Sequence, residues 1–395
     1  MKAVRLASST DCTGCAACAN ACQRKSIAMR SNKFGFLEPQ IDYLNCVGCH
    51  NCERACPIIN PSDYIRTDKP LVYSATIKDK SILSKSTSGG AFYTFASYVI
   101  SMGGAVFGAR FEDYHVRHDY GTTIPSLYEF MGSKYVQSAI GDCYEKVKSF
   151  LERKIPVLFS GTPCQVAGLN QYLQKEYDCL YTISLICRGV PSPQVWESYF
   201  SKLKKKKGFR DIKNLRFRSK SSNFSSPVPS YVLSFSYSDR NGESRMFCED
   251  CRKNPYFSYF MNHIFRSSCL RCQFRNTYRS GADITIGDSI ICISHGGDNS
   301  STIVLHSNKA IRCWNSVKDQ MRYKEIGVEI LNDAYEKSIQ LQKMDRQLRA
   351  WKLSNRLALL FPLGSIRWIY ERQLLILRAL RLLKRWSYCG VSIIL

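Results

Sequence analysis

The hydrophobic rhythm of the chain changes several times, and the changes mark its parts. LVYSATIK at 71–78 alternates apolar and polar side chains at the period of a strand. STSGG (86–90) then precedes AFYTFASYVI, whose apolar residues recur at helical spacing, and GGAVFGARF (103–111) reads as a strand opened by glycines. Ser126 to Phe130 start another helical stretch, followed by MGSKYVQS at 131–138. From Ile155 the chain reads as a buried strand, a tight turn at GTPCQ and a helix, and LYTISLICRGVPSP (180–193) as a second strand ending in a turn. Residues 205–247 predict antiparallel pairing, with SYVLSFSYSD and a turn at Asn241-Gly242. SCLRCQF (268–274) and GADITIGD (281–288) close the pattern. Strands alternating with helices in this way predict a mixed α/β core.

Both ends differ from that core. Residues 1–62 lack its rhythm, and Pro57, Pro61, Ser62 and Pro70 break the chain after them. Toward the other end, Arg346, Arg349, Lys352, Arg356, Arg367, Arg372, Arg378, Arg381, Lys384 and Arg385 sit among Leu, Ile and Trp. Arg378, Arg381 and Arg385 share one helical face, and Ile376, Leu380 and Leu383 another. Such a helix can lie on an anionic membrane surface, or pack on the protein's own core or a partner subunit. The expected divisions are 1–62, 70–150 and 151–335 as two parts of one core, and 336–395 as a basic amphipathic tail.

The first part carries the strongest chemical signal. Cys12, Cys15, Cys18 and Cys22 are spaced C-x2-C-x2-C-x3-C, and Cys46, Cys49, Cys52 and Cys56 repeat the spacing with Pro57 behind them. This is the ligand pattern of a bacterial-type ferredoxin with two [4Fe–4S] clusters, in which each run lends its last cysteine to the other cluster. Cys12, Cys15, Cys18 and Cys56 are therefore expected to hold one cluster, and Cys22, Cys46, Cys49 and Cys52 the other. Disulfide frameworks and zinc sites favour other spacings. Gln23 stands where a proline commonly follows the first run, which removes no ligand. Phe34, Gly35, Phe36 and Pro39 are expected in a hairpin separating the clusters.

At 395 residues the chain has room for two or three domains, and 45% apolar residues suit a real core. Nineteen cysteines, an odd number, argue against complete disulfide pairing. MKAVRLASST lacks the apolar stretch of a signal peptide, and no apolar run reaches membrane-spanning length, so the expected compartment is reducing and cytoplasmic. The net charge of +24 is concentrated in Lys202–Lys207 and the last fifty residues rather than laid out as a nucleic-acid module. An acidic redox partner or electron donor, a polyanionic substrate or anionic lipid fits it better.

A second group of cysteines lies in the core. Cys164 in GTPCQ and Cys187 in ICRG end strands, and with Cys269 and Cys272 they make four thiols that the fold can gather for a third cluster. Cys248, Cys251, Cys269 and Cys272 instead read C-x2-C-x17-C-x2-C, the spacing of a zinc site. Cys143, Cys179, Cys292, Cys313 and Cys389 are expected to be free. The loop of Ser86, Thr87, Ser88, Gly89 and Gly90 starts a helix, where amides and hydroxyls can hold a phosphate or cap the helix. Lys134 can offer a cation to a pyrophosphate. Asp283 and Asp288 bracket a strand, where a carboxylate can accept a hydrogen bond from a flavin or ribose or close a turn. His115, His118, His263 and His295 are read as surface or structural residues, and no general acid is named.

STSGG, GSKYVQS, GTPCQVAGL, CRGVPSP, SCLRC and ADITIGD, in this order over residues 70–310, resemble the coenzyme F420 hydrogenase/dehydrogenase beta-subunit family, in which a fused two-cluster ferredoxin domain is common. The resemblance implies an α+β protein: a dicluster ferredoxin domain, then a mixed α/β flavin and iron–sulfur core, here with a helical basic tail. It implies an iron–sulfur flavoprotein oxidoreductase carrying FAD, with a redox partner or low-potential donor and a small-molecule acceptor. It further implies that Cys164, Cys187, Cys269 and Cys272 bind a [4Fe–4S] cluster, and that the 86–90 loop, Ser133, Lys134, Tyr135 and Gln137 contact FAD. Surface-polysaccharide metabolism is one setting that the family suggests. The alternative is an electron-transfer subunit without its own substrate. Ser289, Ile290 and Ile291 follow Asp288 where members often have an aromatic residue and tryptophan, a departure at the face that would meet a deazaflavin.

Overall fold

The computed structural model describes residues 4–61, 66–67, 69–220, 232–250, 253–257, 265–275, 277–289 and 300–331. The basic tail, Cys251, Cys292, Cys389, His263 and His295 lie outside them.

The cysteine runs fold as two similar halves. Gly14 and Gly48 both adopt positive φ (68° and 66°), and Ala16 and His50 follow at 60° and 59°. Each run then enters a one-turn helix, Ala17–Asn20 or Asn51–Arg54. The repeated C-x-G-C sequence thus produces a repeated backbone, because glycine accepts the left-handed turn that aims consecutive thiols inward. Between the runs, β1 (Ile27–Ser31) and β2 (Leu37–Ile41) form the expected antiparallel hairpin.

One eight-stranded sheet draws on both parts of the core, so residues 70–150 and 151–335 share a single unit. Its strands are β3 (Leu71–Ile77), β4 (Ala105–Glu112), β5 (His115–Gly121), β6 (Val157–Gly161), β7 (Leu180–Leu185), β11 (Ile284–Asp288), β12 (Ser301–Leu305) and β13 (Met321–Glu325), in the order β13-β3-β12-β11-β7-β6-β4-β5. The central four, β11-β7-β6-β4, are parallel. Their alternation decides the layers. Val106 and Leu158 face one core with Phe95, Val99 and Trp314; Phe107, Val157 and Phe159 face another with Tyr144, Val166 and Leu169. Strands β12 and β13 and the amphipathic helix Asn308–Val317 go beyond the elements the sequence pattern suggested.

A smaller antiparallel sheet of β8 (Arg210–Arg216), β9 (Val232–Ser238) and β10 (Ser244–Asp250) occupies the stretch expected to pair in that manner. It packs on the helix Pro193–Lys207 around Trp196, which is fully buried against Phe200, Phe217 and Tyr256 and donates its indole N–H to the Tyr114 carbonyl at 2.6 Å. Lys204–Lys207 form the last turn of this helix before Gly208, so this charge run complements a helix dipole. Trp196→Ala is expected to cost about 3–5 kcal/mol, read as a lower denaturation midpoint. An unchanged midpoint would show that the two sheets do not share this core.

The ferredoxin part is built into the rest. The hairpin tip carries Gly35, whose carbonyl accepts from Ser192 Oγ at 3.0 Å, while Phe36 is buried in the Trp196 cluster. On the other side Cys15, Ala16, Ala17 and Ala55 join the Phe159 and Tyr144 core. The tip expected only to separate two clusters therefore also docks the domain.

Candidate redox site

Cys12, Cys15, Cys18 and Cys56 line one cavity with apolar Leu6, Met29, Pro39 and Ile58. Burial pushes the Cys15 thiol up to about 12, and the neighbouring Cys164, Cys12 and Cys56 add to the rise while a backbone N–H opposes it. Cys18 is raised the same way, by burial and then by Cys15, Cys12 and Cys56. Cys52 is raised to about 11 by burial, with Cys22 among the contributing charges, and Cys22 and Cys46 pack against it. Each run's last cysteine lies with the other run. Cys49 is the exposed member, flanked by Tyr43, Leu44 and Val47, which are 66%, 98% and 50% exposed.

The core cysteines gather from separate elements. Cys164 opens the helix Pro163–Leu173 directly after β6, where Thr162 caps the helix and meets Cys164 Sγ at 3.2 Å. Cys187 lies two residues beyond β7, and Cys269 and Cys272 come from the turn around the helix Ser267–Leu270. Burial lifts the thiols of Cys187, Cys269 and Cys272 to about 12 each. Further upward pressure comes from Cys164 and Cys272 on Cys187, from Cys187 and Cys164 on Cys269, and from Cys164 and Cys269 on Cys272. Cys248 is exposed on β10, and burial alone raises its thiol. Cys269 and Cys272 thus keep company with Cys164 and Cys187 rather than with Cys248.

These donor sets fit iron–sulfur clusters. Four soft thiols come together in the Cys12/Cys15/Cys18/Cys56 set and in the Cys164/Cys187/Cys269/Cys272 set, and Cys22, Cys46 and Cys52 share a cluster in the outer set. The mutual repulsion of their thiolates would be relieved by a cationic centre, since a coordinating thiol is held deprotonated. Among the described residues, no three His, Cys, Asp or Glu side chains close tightly enough to hold a single metal ion. Cys143 and Cys313 are buried and free, and Cys179 is free and half-buried.

Residues 11–58 match the family described as 4Fe-4S dicluster domain, and residues 156–329 the family described as the carboxyl-terminal part of the coenzyme F420 hydrogenase/dehydrogenase beta subunit. Residues 156–329 are similar to the carboxyl-terminal part of that beta subunit, and residues 11–58 to a dicluster domain. The chain is thus an iron–sulfur redox protein. No curated protein matches it. Among solved structures, a chain of the F420-reducing [NiFe] hydrogenase complex from Methanosarcina barkeri is similar at 15% identity and a TM-score of 0.45, with 71% of this chain and 92% of that one covered. No described helix is long and apolar enough to cross a membrane.

In this beta-subunit-like core, the loop 86–90 sits at the carboxyl-end edge of the parallel strands, the edge at which open α/β sheets bind ligands. Gly89 is pressed against the β3 and β12 backbones: a Cβ there would meet the Ala75 carbonyl at 2.1 Å. Ser88 Oγ lies 2.9 Å from Ser301 Oγ, and Thr87 Oγ1 accepts from the Ser133 N–H at 2.9 Å, which joins STSGG to GSKYVQS. Lys134 Nζ donates to the carbonyls of Glu129 and Met131. The protein packed around this half-buried side chain pulls its pKa down to about 7, with Arg216 adding repulsion and Glu129 opposing.

The sequence pattern gave no warning of three cations here. In RFRSK, directly after the end of β8, Phe217 turns into the core, while Arg216, Arg218 and Lys220 reach the loop edge through the contacts that follow. Arg216 donates to the Lys85 carbonyl, and Lys220 to those of Leu83 and Ser88. Arg218, nearly buried, pairs with Asp288 at 2.7 Å and lies 3.5 Å from the Tyr135 hydroxyl. Burial, then Arg218, lowers the Lys220 pKa to about 8. A period-two basic pattern next to a predicted strand was the available signal.

Three expected contacts lie elsewhere. Asp283 is fully buried and accepts from the Thr182 backbone N–H and hydroxyl and from the Ser307 hydroxyl. It stands five positions before Asp288, roughly 17 Å at strand rise, so it ties the sheet at the opposite end of β11 from the Asp288 edge. Gln137 turns to the ferredoxin domain, donating to the Thr13 carbonyl at 3.0 Å. Ser86 is buried, its hydroxyl given to the Ile82 carbonyl. His118 is a buried, neutral ring against Phe159, its pKa lowered to about 4 by burial; His115 is exposed beside Glu197.

Lys134 gives a pH expectation. Protonated below about 7, it attracts an anion; above, it is neutral. Affinity for a phosphate-bearing ligand at this edge is therefore expected to fall between pH 6 and 8, checked by titration calorimetry with FAD, with Lys134→Met flattening the profile. Without ligand the sign reverses. The unfolded state binds more protons between about 7 and the normal lysine pKa, so this residue's contribution favours folding as pH rises there.

Proposed function

We propose that the chain is an iron–sulfur flavoprotein oxidoreductase that takes electrons from a partner at its ferredoxin end and reduces or oxidises a small molecule at a flavin in its core. The single observation behind this reading is the alignment of three cysteine quartets with one cationic loop edge. The Cys22/Cys46/Cys49/Cys52 set reaches the surface, the Cys12/Cys15/Cys18/Cys56 set is buried, and the Cys164/Cys187/Cys269/Cys272 set lies beyond it. When bound, the clusters supply one-electron steps and FAD two-electron chemistry.

The side chains have definite tasks in this arrangement. Thr87, Ser88, Ser133 and the amide of Gly90 would hold the flavin's pyrophosphate, with Lys134, Arg216, Arg218 and Lys220 supplying positive charge. Asp288, fixed by Arg218, would receive a polar edge of the flavin or its ribose. Gly168 keeps the two inner quartets close: a Cβ there would meet Cys15 Sγ at 3.0 Å, and Gly168 shares a helical face with Cys164 four residues before it. Leu44, Tyr43 and Val47 give a partner an apolar landing around Cys49.

The test is anaerobic reduction of the purified chain with dithionite, followed by a small organic acceptor. Reoxidation of bound flavin by the acceptor alone supports the reading. Reoxidation only on adding a protein partner would replace it with a relay subunit.

A further inference from the structure

Arg266 is buried to 1% exposure, an expensive place for a guanidinium. Its contacts reach three cysteine-bearing segments, those of Cys12, Cys187 and Cys269. Its backbone N–H donates to the Val190 carbonyl, just beyond Cys187, and its carbonyl accepts from the Cys269 N–H, both at 3.0 Å. Its side chain crosses into the ferredoxin part. Nε donates to the Cys12 carbonyl at 2.6 Å, and Nη1 to the Leu37 carbonyl at 2.9 Å and Gln137 Oε1 at 3.1 Å. The guanidinium lies over the Phe36 ring, and Glu38, 17% exposed, stands 3.5 Å from Nη2. Gly14 makes room for it: a Cβ there would meet Arg266 Nη1 at 2.8 Å. The charge lowers the thiols of Cys12, Cys164 and Cys269 against the larger upward effect of burial.

We infer that Arg266 is the positioning residue that fixes the buried ferredoxin quartet against the core quartet and makes both easier to reduce than the outer one. This rests on the three-quartet reading above. A thiolate-bound [4Fe–4S] cluster is already anionic, and reduction adds one more electron. In a low-dielectric interior, a fixed positive charge between two such groups stabilises the reduced form of each. Glu38 offsets the charge only partly, because water reaches it. Arg266 is not among the groups acting on Cys52 of the outer quartet, and all its side-chain hydrogen bonds go to Cys12, Leu37 and Gln137.

The test is a potentiometric titration of the loaded full-length chain, followed by EPR, after iron has been counted. In Arg266→Gln, the reduced-to-oxidised ratio of two clusters at fixed potential is expected to fall about tenfold, ~59 mV for one electron, while the third stays put. Arg266→Lys, which keeps the charge, should stay close to the parent. Glu38→Gln, which leaves Arg266 unopposed, should move the same two clusters the other way. It also carries the test if Arg266→Gln loses iron. Equal shifts in all clusters, no shift, or Arg266→Lys behaving like Arg266→Gln would overturn the inference. Failure of the three-quartet reading would show earlier, as about eight irons in the unaltered chain.

Discussion

Replacing Cys187 by serine is expected to take the anaerobically purified chain from about twelve irons to about eight, without unfolding it. Cys187 stands two residues beyond β7, half-buried, with Cys164 and Cys272 acting on its thiol. Serine is nearly isosteric, so the fold should survive and the change should report ligation. Cys187 is the informative choice because it belongs to the proposed core quartet and not to the C-x2-C pair set that spacing alone offers to zinc. Cys248→Ser is the matching control, expected to leave iron, zinc and flavin unchanged. Twelve irons retained in Cys187→Ser would remove this residue from the core quartet.

Removing the cation pair at the loop edge should have the second large effect. In Arg218→Ala combined with Lys220→Ala, FAD is expected to bind at least about thirtyfold more weakly, since losing buried charge-assisted contacts costs about 2 kcal/mol or more. Arg218 is held by Asp288 at 2.7 Å and by the sheet beneath Phe217, so it is in place before a ligand arrives. That preorganisation is why its loss should exceed the loss of an exposed lysine. Lys205→Ala, at the exposed end of the Pro193–Lys207 helix, is the comparison and should leave FAD binding unchanged. Iron content should be equal in all three proteins, because the hydrogen bonds of Arg218 and Lys220 go to Asp288, Tyr135, Leu83 and Ser88 and not to a cysteine. Unaltered flavin affinity in the double variant would move the flavin away from this edge.

The ferredoxin part was the most legible in the sequence because its function and its backbone share one local code. A cysteine every third residue needs a tight turn, and Gly14 and Gly48 supply it at matching positions. The parallel strands were legible for a similar reason: VLF is a short apolar run and LYTISL a short strand-forming run, each closed by a turn. What local pattern does not encode is tertiary meeting. Asp283 and Asp288 look alike in ADITIGD, yet opposite strand ends give one a buried network and the other the loop edge. GSKYVQS reads as one motif, but its irregular backbone sends Ser133 to the 86–90 loop and Gln137 to Thr13. Arg266 carries no spacing signature, and its role depends on a partner 254 residues away in sequence, Cys12. The period-two RFRSK cations take their roles from Lys85, Ser88 and Asp288, which local pattern does not reveal. The 301–325 segment was missed because β12 and β13 add antiparallel strands beyond the motif-bearing region.

The central claim is that three thiolate quartets and one flavin site share this chain. It is tested most directly by measuring iron, acid-labile sulfide, zinc and flavin per polypeptide after purification without oxygen. The account predicts about twelve irons, about twelve sulfides, one FAD and no zinc. About eight irons with one zinc, or a chain that neither carries FAD nor takes it up on reconstitution, would contradict it.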